Sequence, residues 1–576
     1  MMVLGISEEH DAGIALVENG KILLASNEER YTRKKVQRGF PKNALDWCIN
    51  RIIKMGIGFP ERIVIASKFH VSSSLGDWQN MDWKFELLEN FFSYTHLDRF
   101  LWGSKLGPKL LIFLGNIQQL VRKKRIGDEL KKRGLNFSEL MFIDHHTCHA
   151  TSAYLASGWN ECLVITQDAS GDGICSKVFF CRNGKLEEKH SVPFFHSPGH
   201  YYEYVTFMLG FKIGREGKVT GLAARGDPSK TFPIFMKELN YDKNSQRYIN
   251  HGLYRKAEIN KLRKKLKNFS VEDIAAGVQK HLEVIMINYI RDMIRKYASK
   301  FPVKLALAGG VFANVRLNQK IAALPEVKSL FIFPHMGDGG LAAGAALSLF
   351  CDKDFQPTPL SNVYFGDDLN AEEIELVLNK YKRKFSVTKP RGLAESVAKL
   401  LANDKVVAIV RGRMEYGPRA LGHRSLLYKS FDPTVNIWLN RRLRRSEFMP
   451  FAPIIRRKDL PLYFSNWEKV LPSLPFMTVA LNCNERCKKE APAIVHVDGT
   501  ARPQVLEKGV ENFVYDILSS YFKLTKLRIL INTSFNMHEQ PIVRNAQDAV
   551  LTFLEGHIDY LVLEDRLITL KESEGK

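Results

Sequence analysis

Apolar and polar residues follow the same order in two separate parts of the chain. In the first part, apolar runs at 3–7, 14–17 and 22–25 are separated by a polar turn and then by Asn19-Gly20. In the second, runs at 162–166 and 178–181 flank the segment QDASGDG, and Asn183-Gly184 follows. Asn-Gly is typical of a two-residue hairpin turn, because both central residues need a positive φ. The repetition predicts two related α/β lobes whose interstrand turns face a cleft, with two unrelated hairpins as the alternative.

Two further strands each run into a glycine-rich loop and a helix of small residues. The run 304–307 precedes AGGVFAN, which contains Gly309, Gly310 and Asn314, and the next strand precedes HMGDGG, which contains Gly337 and Asp338. Glycine lets a ligand approach the backbone closely, and a helix N-terminus offers free N–H groups to an anion. The pair therefore predicts a nucleotide cradle, with tight helix packing as the alternative.

A polar, proline-containing stretch indicates a boundary within 355–390. A new α/β pattern follows, with a helix at 393–401 and a strand at 406–410. The predicted organisation is an N-terminal domain at 1–360 and a C-terminal domain at 390–570, the second also α/β. Residues 69–135, rich in Trp and Phe and ending in basic runs, are predicted to be an insertion in the first domain.

The composition of the chain excludes several classes of protein. The 576 residues carry 84 basic and 62 acidic side chains, a net charge of +22 that favours anionic partners. The basic runs at 122–125, 131–133 and 255–267 are typical of solvated helix faces; RNA binding is the alternative, although no RNA-binding module accompanies them. Without a signal pattern, a spanning apolar segment or a disulfide framework, the sequence predicts a cytoplasmic protein with no membrane part.

The segment DHHTCH carries the strongest indication of a metal site. His145 and His149 are spaced i, i+4 at the start of a predicted helix, so both imidazoles share one face and can bind one cation. Carboxylates can complete the ligand set, and Asp168, in the predicted turn after the next strand, and Asp338 are the candidates. Ordinary polar histidines are the alternative.

Arginines crowd the turns of the C-terminal part. Arg419 lies in GRMEYGPRALGHRS, Arg445 ends a basic run, and Arg502 lies in HVDGTARPQ. Arginine is the preferred bidentate partner for phosphate and carboxylate groups. Ser534 and Asn536 follow a predicted strand and add hydroxyl and amide donors. This density among Gly and Pro predicts an anion-binding site, with a solvated cluster of surface charges as the alternative.

These segments together resemble the NodU/CmcH-type O-carbamoyltransferase family. The matching segments occur in the family's order over nearly the whole chain: GISEEHDAGIAL, NEERYTRKK, DHHTCHATSAY, GREGKVTGLA, LAGGVFAN, GDGGLAAGAAL, GRMEYGPRALGHRSLL, EFMPFAP, VDGTARPQ and NTSFN. The resemblance implies an α/β fold with a duplicated actin-like (ASKHA) N-terminal domain and a YrdC-like C-terminal domain.

The resemblance also implies a two-step reaction. Carbamoyl phosphate and ATP, with Mg²⁺, give carbamoyl-adenylate in the C-terminal domain, and the carbamoyl group then passes to a hydroxyl of a small acceptor, a sugar or natural product, in the N-terminal domain. The family's metal, Fe(II) with Mn or Zn as alternatives, maps onto His145, His149, Asp168 and Asp338.

The remaining roles are carried over by motif position. His10, beside Asp11, is the implied general base and catalytic residue. The implied ligands of ATP, carbamoyl phosphate and adenylate are Lys35, Gly309, Gly310, Asn314, Gly337, Arg419, Arg445, Arg502, Ser534 and Asn536.

Some positions depart from the family pattern, and two other functions stay open. NRRLRRSEFM lacks the lysine common before PFAP, and MHEQP replaces the usual Gly-Glu-Pro after NTSFN. A tRNA threonylcarbamoyladenosine-type enzyme and a catalytically silent nucleotide-binding regulator are the alternatives. The acceptor is not indicated by the sequence, nucleic acid is not an expected partner, and a homo-oligomer is one alternative for the assembly state.

Overall fold

The computed structural model describes residues 1–68, 106–212, 214–351, 355–445 and 450–571. The chain divides into two compact units. The first comprises Met1–Leu23 and Arg38–Leu360, and the second comprises Leu24–Gln37 and Ser361–Lys576.

Residues 2–332 form two five-stranded sheets of the same design. Their strands are β1 (Met2–Ser7), β2 (Gly13–Glu18), β3 (Lys21–Asn27), β4 (Arg62–Ala66), β5 (Glu139–Ile143), β6 (Glu161–Gly171), β7 (Ile174–Arg182), β8 (Lys185–Pro193), β11 (Val303–Ala308) and β12 (Val327–Ile332); β9 (Leu239–Asp242) and β10 (Arg247–Asn250) pair separately. The orders β3-β2-β1-β4-β5 and β8-β7-β6-β11-β12 correspond strand for strand. In both, the central strand pairs antiparallel with its hairpin neighbour and parallel with the later strand. The predicted duplication of an α/β lobe is confirmed.

Both Asn-Gly turns form the predicted hairpins. Asn19 and Gly20 have φ of 47° and 76°, and Asn183 and Gly184 have φ of 51° and 77°. The prediction for QDASGDG is wrong: β6 continues through this segment with a register irregularity between Gln167 and Gly171, and the turn falls at 172–173. Asp168 therefore lies in the distorted end of a strand, not in a turn.

Helices cover the sheets and connect their strands. They are α1 (Glu29–Thr32), α2 (Lys42–Met55), α3 (Leu106–Lys131), α4 (His145–Ser157), α5 (Pro198–Met208), α6 (Glu216–Ala223), α7 (Phe232–Glu238), α8 (Arg255–Leu266), α9 (Val271–Tyr297), α10 (Val315–Ala322), α11 (Leu341–Leu347), α12 (Ala371–Lys380), α13 (Leu393–Ala402), α14 (Val435–Arg442), α15 (Glu485–Glu490), α16 (Asn512–Thr525) and α17 (Ala546–Glu555). Among the described residues, none of these helices is both long and apolar enough to cross a membrane.

The small-residue helix α11 packs very closely in the core of the first unit. A Cβ on Gly344 would lie 1.9 Å from the Cys148 carbonyl oxygen on α4, and one on Gly5 would lie 1.9 Å from the Ala342 oxygen. The glycines thus let α11 touch both β1 and α4, which fixes the loop before α11 against the start of α4.

The second unit is built on one mixed eight-stranded sheet. The strands of this unit are β13 (Phe385–Thr388), β14 (Val407–Val410), β15 (Arg424–Lys429), β16 (Ala452–Arg456), β17 (Phe464–Ser465), β18 (Leu481–Cys483), β19 (Thr500–Ala501), β20 (Gln504–Leu506), β21 (Ile529–Ser534), β22 (Tyr560–Leu563) and β23 (Arg566–Leu570). The order in the large sheet is β13-β23-β22-β14-β15-β21-β16-β20, and β17-β18-β19 form a separate three-stranded sheet. Helices α13 and α16 pack their buried faces on this sheet, around Val397, Ile409 and Ile517.

Two expectations for the connecting regions need correction. The stretch 361–390 is not only a connection, since it contains α12 and the edge strand β13, which pairs with β23. Of the predicted insertion, residues 69–105 lie outside the described residues, and α3 follows. The run 122–125 on α3 is not uniformly solvated, because Arg122 is 5% exposed and pairs with Glu8 at 3.1 Å.

Candidate functional site

The first unit brings the two histidines of the HxxxH segment together at the start of α4. Asp144 caps this helix, its Oδ1 accepting a hydrogen bond of 2.9 Å from the Thr147 N–H. One helical turn separates His145 and His149, whose ring centroids lie 4.8 Å apart. Both residues are buried. The predicted helix and the shared face are observed.

Two carboxylates from different elements complete a compact group of four. Donor atoms of His145, His149, Asp168 and Asp338 all lie within 4.8 Å of one another. Asp168 Oδ2 is 3.3 Å from His149 Nε2 and 3.9 Å from His145 Nε2, and Asp338 Oδ1 is 3.8 and 3.7 Å from them. The two buried Nε2 atoms have no hydrogen-bond partner among the described residues. Nitrogen and oxygen ligands that each lie about 2.0–2.2 Å from one ion are separated from each other by distances close to those measured between these donors. The donor set therefore fits a divalent cation.

Backbone amides of neighbouring loops orient Asp168. Its Oδ2 accepts from the Gly310 N–H at 2.9 Å, and its Oδ1 accepts from the Ala169 N–H at 2.8 Å. Gly309 has φ of 110°, and a Cβ there would lie 2.2 Å from the Gln167 carbonyl oxygen. Gly309 and Gly310 therefore hold the carboxylate of Asp168, a candidate metal ligand, in place.

The four groups are electrostatically matched to one another. Burial favours neutral His145, but the carboxylates of Asp168 and Asp338 outweigh it and raise its pKa to about 10. Burial opposes ionisation of Asp168 as well, yet His145 and His149 hold its pKa well below the usual range. The site thus stabilises positive charge at its centre, which a bound cation would supply in place of a proton.

His10 and Asp11 follow β1 in the same unit and are partly buried. Arg38 Nε lies 3.1 Å from His10 Nδ1, and an Arg38 terminal nitrogen contacts the other ring nitrogen. Burial and then the Arg38 charge lower the His10 pKa, while Asp338 and Asp168 act in the opposite direction. Neutral imidazole is therefore the favoured form, which a general base requires.

In the second unit, Arg445 binds the end of β21 and the residues just after it. Its guanidinium donates to Thr533 Oγ1 at 3.0 Å, to the Ser534 carbonyl at 2.6 Å and to Asn536 Oδ1 at 2.9 Å. Ser534 Oγ also donates to Asn536 Oδ1 at 2.6 Å. Three of the residues predicted to bind anions are thus brought together.

Arg419 and Arg502 form a different kind of pair. Both are partly buried, and neither makes a hydrogen bond or ion pair within the described part of the chain. Burial lowers the Arg419 pKa to about 10, and burial together with the Arg419 charge holds the Arg502 pKa well below its usual value. Two desolvated arginines, one of which lowers the pKa of the other through its charge, are suited to a shared anion.

Asn532 fixes the loops that carry this arginine pair. Its amide donates to the Ala420 carbonyl at 3.2 Å and to Gln504 Oε1 at 2.6 Å. Ala420 follows Arg419 directly, and Gln504 lies two residues after Arg502. The end of β21 therefore organises both the arginine pair and the Arg445 group.

The loop around Arg419 depends on a carboxylate that the sequence interpretation overlooked. Glu415 is buried, and its Oε1 accepts from the N–H groups of Leu421, His423 and Arg424 at 2.7–3.1 Å. The His423 ring stacks on Tyr364 with centroids 3.6 Å apart. The signal available in the sequence was the position of Glu415, an acidic residue just before the Gly417-Pro418 turn.

The remaining predicted ligands occupy less distinctive places. Asn314 caps α10, its Oδ1 accepting from the Leu317 N–H at 3.0 Å, and its amide donates to Gln279 at 2.8 Å. Lys35 follows α1 in the second unit and is partly buried, and Gly337 precedes Asp338.

The comparisons with known proteins agree over nearly the whole chain. A family model described as Carbamoyltransferase N-terminus matches residues 2–68 and 83–347, and one described as Carbamoyltransferase C-terminus matches residues 398–570. An uncharacterized protein of Methanocaldococcus jannaschii is 32% identical over 99% of both chains. Nodulation protein NolO of Bradyrhizobium diazoefficiens is 33% identical over 74% of this chain and 78% of that protein. Nodulation protein NolNO of Sinorhizobium fredii is 29% identical over 97% and 79%. Among solved structures, T. kodakarensis HypF aligns with a TM-score of 0.32 and 11% identity, covering 61% of this chain and 47% of that one.

Proposed function

This chain belongs to the carbamoyltransferase family, and we propose that it is an ATP-dependent O-carbamoyltransferase with two separate sites. The second unit forms carbamoyl-adenylate, and the first unit transfers the carbamoyl group to an acceptor hydroxyl. The observation that carries the proposal is the pair Arg419 and Arg502, two partly buried cations without an anionic partner among the described residues.

The first step joins two polyanions. One ATP, one carbamoyl phosphate and one water give carbamoyl-adenylate, pyrophosphate and phosphate. Water first cleaves carbamoyl phosphate into carbamate and phosphate. A carbamate oxygen then attacks the α-phosphorus of ATP, and the bond from that phosphorus to the bridging oxygen of the β-phosphate breaks, which releases pyrophosphate. Arg419 and Arg502 bind phosphate oxygens in this proposal, and Arg445 positions Ser534 and Asn536 beside them. Charge neutralisation of this kind dominates the catalysis of phosphoryl chemistry.

In the second step the acceptor oxygen attacks the carbamoyl carbon and AMP leaves. His10 takes the hydroxyl proton, since its lowered pKa keeps the imidazole neutral near pH 7. Arg38, in contact with both ring nitrogens, must release one of them for this role. Asp11 follows His10 and is proposed to help hold the turn.

His145, His149, Asp168 and Asp338 would hold a divalent metal, with iron the proposed ion and manganese or zinc compatible with the same donors. When bound, it would supply positive charge to stabilise the phosphate of the adenylate. These four side chains fix the position of that charge in the first unit.

The proposed acceptor is a small hydroxyl compound, a sugar or natural product. The threonylcarbamoyl-tRNA alternative is not favoured, because both matching family models are those of carbamoyltransferases. The catalytically silent alternative is not favoured either, because the metal-binding group and the arginine pair are both present.

Mass spectrometry of an acceptor-free reaction tests the proposal. The full chain, loaded with Fe(II) or Mn²⁺, is mixed with ATP, Mg²⁺ and carbamoyl phosphate, and carbamoyl-adenylate and pyrophosphate are measured. The wild type is expected to form both. Arg441→Ala, at an exposed arginine of α14, is the matched control and is expected to behave as the wild type. No adenylate from the wild type at any metal loading would overturn the proposed first step.

A further inference from the structure

The residue that contacts the far side of His145 sits in a strained loop. Ser67 directly follows β4, is 1% exposed and has φ of 65°. Residues with a Cβ seldom adopt this left-handed conformation outside sites where the surroundings impose it. Ser67 Oγ lies 3.1 Å from His145 Nδ1, the ring nitrogen turned away from the group of four.

A second left-handed residue ties the same loop to the helix start. Asp172, with φ of 50°, accepts at Oδ2 from the Lys68 N–H at 3.0 Å and from the His145 N–H at 2.8 Å. Gly171 beside it leaves no room for a side chain, since a Cβ there would lie 2.2 Å from His145 Cδ2. His145 is therefore held at its backbone, one ring edge and its Nδ1 atom.

An arginine from the long helix α3 anchors Ser67 in turn. Arg122 donates to the Ser67 carbonyl oxygen at 3.0 Å, and its Nε and a terminal nitrogen both donate to Glu8 Oε2 at 3.1 Å. Glu8 is 1% exposed, and Arg125 pairs with its other oxygen. A buried fork with all these contacts fixes Ser67 in one conformation.

We infer that Ser67 and Arg122 are positioning residues of the metal centre, linking helix α3 to the ligand His145. A metal on Nε2 requires the proton on Nδ1, and the Ser67 hydroxyl oxygen is placed to accept it. Arg122 holds Ser67 in the left-handed conformation that brings the hydroxyl to this point. The inference rests on the proposed metal site.

Cobalt titration of the full chain tests the role of the hydroxyl. Co²⁺ binding is measured by competition with a fluorescent chelator, and the visible ligand-field bands report the coordination. Ser67→Gly removes the hydroxyl while relieving the strain at φ of 65°, so lost binding does not reflect a strained backbone. Ser157→Ala is the control, because Ser157 is buried on the same helix α4 as the ligand, and among the described residues its hydroxyl donates to the Tyr154 carbonyl and accepts from the Trp159 N–H.

Ser67→Gly is expected to weaken Co²⁺ binding by about 10–100-fold and to change the visible spectrum. Ser157→Ala should match the wild type in both. Wild-type affinity and spectrum in Ser67→Gly would overturn the inference and leave the proposed metal site standing. No Co²⁺ binding by the wild type would overturn both.

Arg122→Lys keeps the positive charge of Arg122 but removes the guanidinium contacts that hold Ser67. Lysine keeps a cation beside Glu8 but lacks the planar fork needed to reach Glu8 and the Ser67 carbonyl together. We expect a loss of Co²⁺ affinity in the same direction as in Ser67→Gly, but smaller. Unchanged affinity and spectrum in Arg122→Lys would remove Arg122 from the inference, whatever Ser67→Gly shows.

Discussion

The candidate sites in the two units differ in how their charges are balanced. In the first unit, Asp168 and Asp338 lie beside His145 and His149; the two carboxylates raise the pKa of His145, and the two histidines lower the pKa of Asp168. In the second unit, the charge of Arg419 lowers the pKa of Arg502, and neither arginine forms an ion pair among the described residues. The group of His145, His149, Asp168 and Asp338 suits a cation of a defined size. The free-energy cost of burying Arg419 and Arg502 together, by contrast, remains until an anion binds them. The contrast supports the proposed division, with metal binding in the first unit and phosphate binding in the second.

The largest expected effect follows from removing one arginine of the pair Arg419 and Arg502. Arg502→Ala should lower carbamoyl-adenylate formation by at least about 100–1,000-fold, the usual cost of losing one donor to developing charge. The same change should raise the thermal midpoint by about 2–4 °C, because it removes a buried like charge. Mass spectrometry and thermal unfolding measure the two effects, with Arg441→Ala as the reference. A variant that is less stable and fully active would contradict the assignment of this pair.

Removing the proposed base should affect only the first unit. His10→Asn keeps a polar side chain beside Arg38 but cannot take the hydroxyl proton. Carbamoyl transfer to a panel of sugars and hydroxylated natural products should fall by about 100–10,000-fold, with adenylate formation unchanged. Liquid chromatography with mass detection follows both products. Equal loss of both activities would show that the two steps do not separate as proposed.

Metal binding by the group of His145, His149, Asp168 and Asp338 should be sensitive to added volume beside the His145 ring. In Gly171→Ala, the added methyl group would lie 2.2 Å from the His145 ring, so the ring must move. Metal affinity should fall by more than about 10-fold. Gly58→Ala is the control, since a Cβ there meets nothing within 4 Å. Equal metal stoichiometry and affinity in both variants would argue against His145 as a ligand.

A smaller effect is expected at a buried carboxylate outside the metal group. Burial, with the nearby charge of Glu238, raises the pKa of Glu258 to about 7. The pKa of Glu258 in the folded protein lies above its unfolded value of roughly 4.3. The stability that depends on a neutral Glu258 carboxyl is therefore fully present below about pH 4.3 and is lost as the pH rises through 7. Glu258→Gln should therefore stabilise the protein above pH 7 by on the order of 1–3 kcal/mol.

Thermal midpoints at pH 5 and pH 8 measure this difference. The gain of Glu258→Gln over the wild type should be larger at pH 8 than at pH 5. Glu18→Gln, at an exposed position of β2, serves as the control and should show no such change. A gain that is the same at both pH values would mean that Glu258 does not titrate in this range.

Local patterns predicted much of the fold because their causes are local. Asn-Gly turns need positive φ, so two dipeptides predicted both hairpins, and the repeated order of strand, polar turn and hairpin predicted the duplicated lobes. The helical face of His145 and His149 followed from spacing alone. The distorted end of β6 did not, because Asp168 is held there by Gly310, 142 positions away in sequence.

The parts of the sites that were missed depend on contacts between distant segments. Ser67 and Arg122 have no motif, and their roles arise only where β4, α3 and α4 meet. Arg122 belongs to a basic run that was expected to be solvated, and a buried glutamate far along the chain changes its role. The region 361–390 was overlooked because its strand forms an edge and pairs with the end of the chain.

Parallel measurement of carbamoyl-adenylate in two variants tests the central claim most directly. His10→Asn and Arg502→Ala are each given ATP, Mg²⁺ and carbamoyl phosphate without acceptor, and the adenylate is quantified by mass spectrometry. The account predicts adenylate at the wild-type rate from His10→Asn and almost none from Arg502→Ala. Adenylate from Arg502→Ala at the wild-type rate, or none from His10→Asn, would contradict the division of the reaction between the two units.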